Sequence, residues 1–205
     1  MAPKFISFEG TEGVGKTTAI DGFCRHLDEL GVAYVRTREP GGADMAELIR
    51  GILLNKNSIL HDDTELLLMF AARADHSYKT ILPALDAGKW VVCDRFIDST
   101  VAYQGFGRFH GEQSALDKID LLIKNFVPRL PDITLWLDLD VAIGMARAKN
   151  RSQADRFESL DTSFFDKVYQ GLEYGFNKNS ERICRIDASG SIDEVASRIR
   201  EAVGL

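Results

Sequence analysis

Whole classes of function are excluded by what this sequence has little of. Its three cysteines, Cys24, Cys93 and Cys184, stand far apart and match no metal-ligand spacing. Two of them lie in apolar helix or strand runs, where a thiol is ordinarily a small buried hydrophobe, so free thiols without function are expected. No stretch approaches the roughly 18 consecutive apolar residues of a membrane span, and the opening Met-Ala-Pro-Lys lacks the apolar core of a signal peptide. A cytoplasmic protein with no membrane partner is therefore expected. Positive charge is also short, with 25 Lys+Arg against 31 Asp+Glu and a net charge of −6, which argues against a nucleic-acid surface. Repeats, low-complexity tracts and linkers are absent. What remains is 205 residues of ordinary globular composition, 45% hydrophobic and 27% charged. That is enough for one domain, with or without small insertions, and a sizeable core.

The most informative stretch present is Lys4 to Thr18, KFISFEGTEGVGKTT. An apolar run, Phe5-Ile6-Ser7-Phe8, leads into Gly10-x-x-x-x-Gly15-Lys16-Thr17, after which the sequence turns helical. Strand, glycine loop and helix start in that order describe a P-loop. A phosphate chain must meet many backbone N–H groups at close range, and side chains at Gly10, Gly13 or Gly15 would obstruct it. The loop Gly10, Thr11, Glu12, Gly13, Val14, Gly15, Lys16, Thr17 and Thr18 is thus the expected ATP site. Lys16 is placed to reach the β- and γ-phosphates, and the Thr17 hydroxyl to sit on Mg²⁺. An acidic protein that binds polyphosphate must concentrate its positive charge locally, so the placement of the arginines is informative.

Ile20, Phe23, Leu27 and Leu30 fall at helical spacing before Gly31, which predicts a helix from about Lys16 to Leu30. Val32 to Val35 follows as a strand, completing a βαβ unit and implying a parallel sheet. Thr37 to Gly42 reads as a loop at the end of that strand, where open α/β sheets place their ligands. An apolar helix carries Met45, Leu48, Ile49, Ile52 and Leu53. The next begins near Asp62, with Glu65 as a capping-box residue, and sets Phe70 and Arg73 on one face as a pocket wall. Trp90 to Cys93 reads as a buried strand ending in Asp94-Arg95; an acid there, paired with the P-loop threonine, is the usual holder of hydrated Mg²⁺. Phe96 to Gln104 is expected as a helix ended by Gly105-Phe106-Gly107. Leu116 to Phe126 is a helix, Ile133 to Leu137 a strand, and Val141 to Ala148 a helix. Arg147 to Arg156 is dense in positive charge and reads either as a solvated turn or as a lid bringing arginines to phosphates. A helix from Asp161 to about Ser180, a strand at Ile183 to Ile186 and a helix from Ser191 to Val203 complete the chain.

Five strands alternating with helices, a P-loop, an Asp-Arg pair and an arginine-rich segment describe a small α/β P-loop kinase. With Phe8-Glu9-Gly10-Thr11-Glu12-Gly13, Thr37-Arg38-Glu39-Pro40-Gly41-Gly42, Phe70-Ala-Ala-Arg73, Asp94-Arg95 and Ser99-Thr100-Val-Ala-Tyr103-Gln104-Gly105, the chain resembles the bacterial thymidylate kinases over essentially its whole length. The resemblance implies a single P-loop domain over 1–205, with three layers, a five-stranded parallel sheet with helices on both faces, and a lid at about 147–158. It implies transfer of the ATP γ-phosphoryl to dTMP, Mg²⁺ as cofactor, and a homodimer. It further implies Glu12 near the sugar 3′-hydroxyl, Arg73 and Arg95 on substrate phosphate or base, and Phe70 stacked on thymine. Arg38 and Pro40 join the substrate site, Thr100 and Gln104 meet the base edge, and Tyr103 lies under the deoxyribose. Some members carry an arginine where this chain has Gly13, so the catalytic cation is expected from the lid, with Arg151 and Arg156 as candidates beside Lys16 and Arg95.

Two other readings stay open at this level. One is a P-loop kinase of another nucleotide or a small alcohol. The other is a nucleotide-dependent switch, which needs loops sensing the γ-phosphate and a residue positioning water. No general base is required for a phosphate acceptor, whose second pKa is about 6, so the lack of a convincing histidine among His26, His61, His76 and His110 weighs little.

Overall fold

Strand β1 (Phe5–Glu9) is buried along its full length, because helices cover the sheet on both sides. Its side chains alternate between them. Ile6 and Phe8 join one apolar cluster with Ile20, Phe23 and Leu27 of α1 (Lys16–Glu29), whereas Phe5 joins another with Val91, Cys93 and Phe96. The computed structural model describes residues 2–149, 156 and 161–205. Among these, β1, β2 (Tyr34–Arg38), β3 (Trp90–Asp94), β4 (Ile133–Asp138) and β5 (Ile183–Asp187) pair in parallel in the order β2-β3-β1-β4-β5. Right-handed crossovers through helices make such a sheet the natural product of the alternating pattern.

The remaining helices are α2 (Asp44–Leu54), α3 (Asp62–His76), α4 (Leu82–Asp86), α5 (Ile97–Thr100), α6 (Gln113–Phe126), α7 (Val141–Lys149), α8 (Thr162–Lys178) and α9 (Ile192–Val203). α1 and α9 cover one face, Ile199 and Val203 closing the cluster around Ile6 and Phe8. α8 covers part of the other, where Phe165, Val168 and Leu172 pack with Trp136 and Ala102. The register brings the functional strand ends side by side, with Phe8 opposite Asp94 on one side and Arg38 opposite Asp94 on the other.

Three local expectations are corrected. β2 runs to Arg38, so Thr37 and Arg38 belong to the strand; the strand pairs with β3 through to Asp94 before Pro40 ends it. Glu65 is not a capping residue. α3 starts one residue after His61, whose Nδ1 accepts from the Asp63 N–H at 3.2 Å, and Glu65 then faces inward with 0% exposure. Nor do Gly105 and Gly107 end a helix, since α5 runs on as a π-helical segment from Val101 to Arg108. These glycines serve packing: a Cβ at Gly107 would lie 2.6 Å from the Phe164 ring, and one at Gly171 of α8 would lie 2.6 Å from Ala102 Cα.

Candidate active site

A cavity of about 230 Å³ opens at the carboxyl ends of β1, β2 and β3. One end is the loop between β1 and α1. Gly13 and Gly15 take φ of 72° and 96°, a region L side chains rarely adopt. A Cβ on Gly13 would also fall on the carbonyl oxygen of Gly144 in α7. The loop is thus braced against α7, and an arginine has no room where Gly13 stands. Gly15 caps α1 without a side-chain acceptor, leaving the first N–H groups of the helix free for an anion. Lys16 is turned back on the loop, its Nζ donating to Gly10 O at 3.1 Å and Thr11 O at 2.9 Å. Burial and the neighbouring Arg95 guanidinium lower its pKa to about 8, against the pull of Glu12, Asp94 and Glu9.

Asp94 lines the same cavity as Thr17, and its buried Oδ1 has no hydrogen-bond partner. An orphaned carboxylate oxygen beside a P-loop hydroxyl fits a hydrated Mg²⁺, which takes one or two protein oxygens and completes its shell with water and phosphates.

The other end is built from side chains. Arg73 on α3 is 3% exposed; its Nε donates to Glu39 Oε2 at 2.7 Å and its Nη2 to Phe96 O at 3.1 Å. Its buried Nη1 has no partner and so offers an anion a fixed N–H. Glu39 is held on its other oxygen by His76 Nδ1 at 2.9 Å, and His76 Nε2 meets Thr37 Oγ1 at 2.7 Å. Arg95, at φ 67°, donates to Gly10 O at 2.9 Å, Ser99 Oγ at 3.1 Å and Glu12 Oε1 at 2.8 Å. The Tyr103 hydroxyl donates to the same Glu12 oxygen at 2.9 Å, and the Arg95 guanidinium lies 4.8 Å from the Tyr103 ring. Phe164 and Phe165 press edgewise on that ring from α8, with centroids at 6.1 and 6.4 Å. Beneath this layer Glu9 accepts from Phe96 N at 2.7 Å and from the Ser99 hydroxyl. Burial, then the nearby Asp98 carboxylate, raises its carboxyl to about 7. Asp98 itself is gripped through both oxygens by Arg182.

Most of the expected residues meet here. Glu12, Gly13, Val14, Gly15, Lys16, Thr17, Arg38, Pro40, Arg73, Asp94, Arg95, Thr100, Tyr103 and Gln104 all line the cavity. Gly10, Thr11 and Thr18 belong to the loop but do not line the cavity. Phe70 is not on the wall; it is 3% exposed, packed with Leu66 and Ile119, with the Arg73 guanidinium 5.1 Å from its ring. Arg156 pairs with Glu65 Oε2 at 2.7 Å. Arg151 lies outside the described residues, as does most of the expected lid. Glu39, Arg50, Glu65 and Ser99 were not foreseen. Arg50 lines the cavity and donates to Pro40 O at 2.6 Å. Glu39 and Ser99 stand inside stretches that carry the resemblance without being given a role, and Arg50 and Glu65 show only as a charged residue beside an apolar helical face, which surface residues share.

Five cations, Lys16, Arg38, Arg50, Arg73 and Arg95, border this one cavity in a chain of net charge −6. The thymidylate kinase family model matches residues 8–199. A thymidylate kinase of Psychrobacter sp. (strain PRwf-1) is 62% identical over 200 residues, covering 98% of this chain and 96% of that protein. One of Acinetobacter baumannii (strain SDF) is 50% identical over 193 residues, covering 93% and 95%. The crystal structure of thymidylate kinase from Ehrlichia chaffeensis superposes with a TM-score of 0.81 at 34% identity, covering 99% of this chain and all of that one.

Proposed function

The chain belongs to the thymidylate kinase family, and from that premise we propose how its cleft moves the γ-phosphoryl group of ATP onto dTMP to give dTDP and ADP. The observation that carries the division of roles is a single cavity with a phosphate loop at one end and, at the other, an arginine with an unpaired buried N–H. One bound anion does not need both ends; two do.

ATP takes the loop from Gly10 to Thr18, with Lys16 leaving its backbone carbonyls for the β- and γ-phosphates. Thr17 and Asp94 hold Mg²⁺, which when bound supplies positive charge to the oxygens of the transferred group. Arg73 and Arg95 take the acceptor phosphate, and Arg38 and Pro40 close that end. Phe70, which the resemblance sets on the base, backs the base site through Arg73, whose guanidinium lies 5.1 Å from its ring; Thr100 and Gln104 meet the base edge, and Tyr103 with Glu12 bounds the sugar, Glu12 at its 3′-hydroxyl. Arg151 or Arg156 adds charge as the phosphoryl group passes, a contact made in the reacting state that appears in kcat. No general base is needed, because the acceptor phosphate is already ionised near pH 7.

The test is ADP release over a panel of nucleoside monophosphates. Marked preference for dTMP is expected; equal use of the panel overturns the base assignments. The proposal includes a cytoplasmic homodimer. Leu66, Leu116 and Ile119 are absorbed into the core, but Met45, Leu48 and Ile52 on α2, Leu67 on α3, and Leu121 and Phe126 on α6 remain exposed. Light scattering showing a monomer at micromolar concentration removes that part.

A further inference from the structure

Gln104 does not hold its own orientation. It is 1% exposed on the cavity wall, and its Nε2 donates to Glu65 Oε1 at 2.8 Å. Glu65, wholly buried on α3, also accepts from Arg108 Nε and Nη2, both at 3.2 Å, and pairs with Arg156 Nη1 at 2.7 Å. A carboxylate gripped by two guanidinium groups has only lone pairs to offer. An amide facing it must present its NH₂, since a carbonyl there would set acceptor against acceptor. The two-fold ambiguity of an amide side chain is thereby removed. Nε2 is committed to Glu65, and the carbonyl Oε1 is what Gln104 has left as a base partner.

We propose that Glu65 is a positioning residue that sets base selectivity. By fixing the Gln104 amide, it makes the cleft accept a pyrimidine whose N3 carries a hydrogen and reject one whose N3 is a bare acceptor. Thymine is of the first kind and cytosine of the second. The inference rests on the assignment of the base edge to Gln104 made above.

The test is kcat/KM for dTMP and for dCMP in the parent and in Glu65→Gln, with thermal melting alongside. In that variant the new carbonyl takes the place of Oε2, where Arg108 Nη2 and Arg156 Nη1 can only donate, and the new NH₂ takes the place of Oε1 at the loss of the single bond from Arg108 Nε. That NH₂ then faces Gln104, draws the Gln104 carbonyl toward it and turns the Gln104 amino group to the cleft. The expected result is a fall of about tenfold or more in the dTMP-to-dCMP ratio, since a site built around one hydrogen bond discriminates strongly against its loss. A structural role alone would depress both substrates together, and an unchanged ratio overturns the proposal. Should Glu65→Gln fail to fold, Glu65→Asp carries the same test, keeping the charge for the arginines but withdrawing it one methylene from Gln104. Gln104→Ala separates the two layers. If it abolishes selectivity while the Glu65 variants keep it, Glu65 is excluded and the base edge stands. If Gln104→Ala leaves the ratio intact, the base-edge assignment falls and this inference with it.

Discussion

The two ends of the cleft are held by different physics. The nucleotide end is a contiguous loop whose shape comes from glycine backbone and a brace against Gly144, with Lys16 bonded only to main-chain carbonyls. The acceptor end joins β2, α3 and the segment after β3 through a buried relay from Thr37 to His76 to Glu39 to Arg73 to Phe96. In the first, chemistry and stability are separable; in the second, the groups that would bind substrate also pair one another's buried charges. The largest break in that comparison is sought with Lys16→Ala. Loss of a phosphate ligand at the transferred group is expected to cut kcat by on the order of 10³-fold, the size seen for cations in this role. The melting temperature should stay within a few degrees of the parent. Activity within tenfold of the parent would sink the loop assignment.

Arg73→Ala is the matching experiment at the other end. It should raise KM for dTMP, and it should also destabilise, because Glu39 would be left buried with its arginine gone and His76 Nδ1 as its remaining side-chain contact among the described residues. Breaking a buried pair costs about 3–5 kcal/mol, or on the order of 10 °C in a domain of this size. A variant with parent-like melting would erase the contrast between the two ends.

That contrast also separates what the sequence made legible from what it did not. The βα alternation, the P-loop and the strand-end Asp94-Arg95 are local patterns, and local periodicity or spacing suffices for them. Element bounds for α1, β4, β5 and α9 came within a residue or two for the same reason. Glu39 and Glu65 were missed as site residues because a buried carboxylate is recognisable only by its partners, which lie 34 or more residues away in the chain. The glycines at 105 and 107 misled because the sequence shows their flexibility and hides the neighbours that press on them, Leu116 and Ile119 at Gly105 and the Phe164 ring at Gly107. Phe70 was expected on the wall because it shares a helix face with Arg73, yet side-chain packing sets it behind Arg73.

A sharper probe of the acceptor end is Tyr103, whose ring is fixed by Phe164, Phe165 and Arg95 and whose hydroxyl is spent on Glu12. A ribose 2′-hydroxyl pressed on that ring would find no partner. Burying it costs roughly 1–3 kcal/mol, or about 5- to 150-fold in kcat/KM. Discrimination against ribothymidine monophosphate of about 10² is expected in the parent, and less in Tyr103→Val. Equal kcat/KM for the two sugars in the parent would remove Tyr103 from the site.

The smallest effect expected distinguishes the ends by their response to pH. Lys16 is the titrating cation at the nucleotide end, with its pKa lowered to about 8 by burial and by Arg95. Phosphates brought to its ammonium favour the charged form, so the pKa rises on binding and ATP uptake above pH 8 must carry a proton with it. Affinity for ATP is then fully expressed below about pH 8 and declines as pH rises past it, by about tenfold between pH 7 and 9 if one proton is linked. The acceptor end offers Arg73 and Arg95, guanidinium groups that do not titrate in this range, and Glu9 beneath them, raised to about 7, is already ionised by pH 8.5, so dTMP binding should show no such decline above pH 8. Calorimetric titrations at pH 8.5 in two buffers of different ionisation enthalpy read the proton directly. Uptake with ATP and none with dTMP is the expected pair of results. Equal uptake with both would mean that Lys16 serves the two ligands alike, and the division of the cleft into a backbone-built and a side-chain-built half would lose its functional meaning.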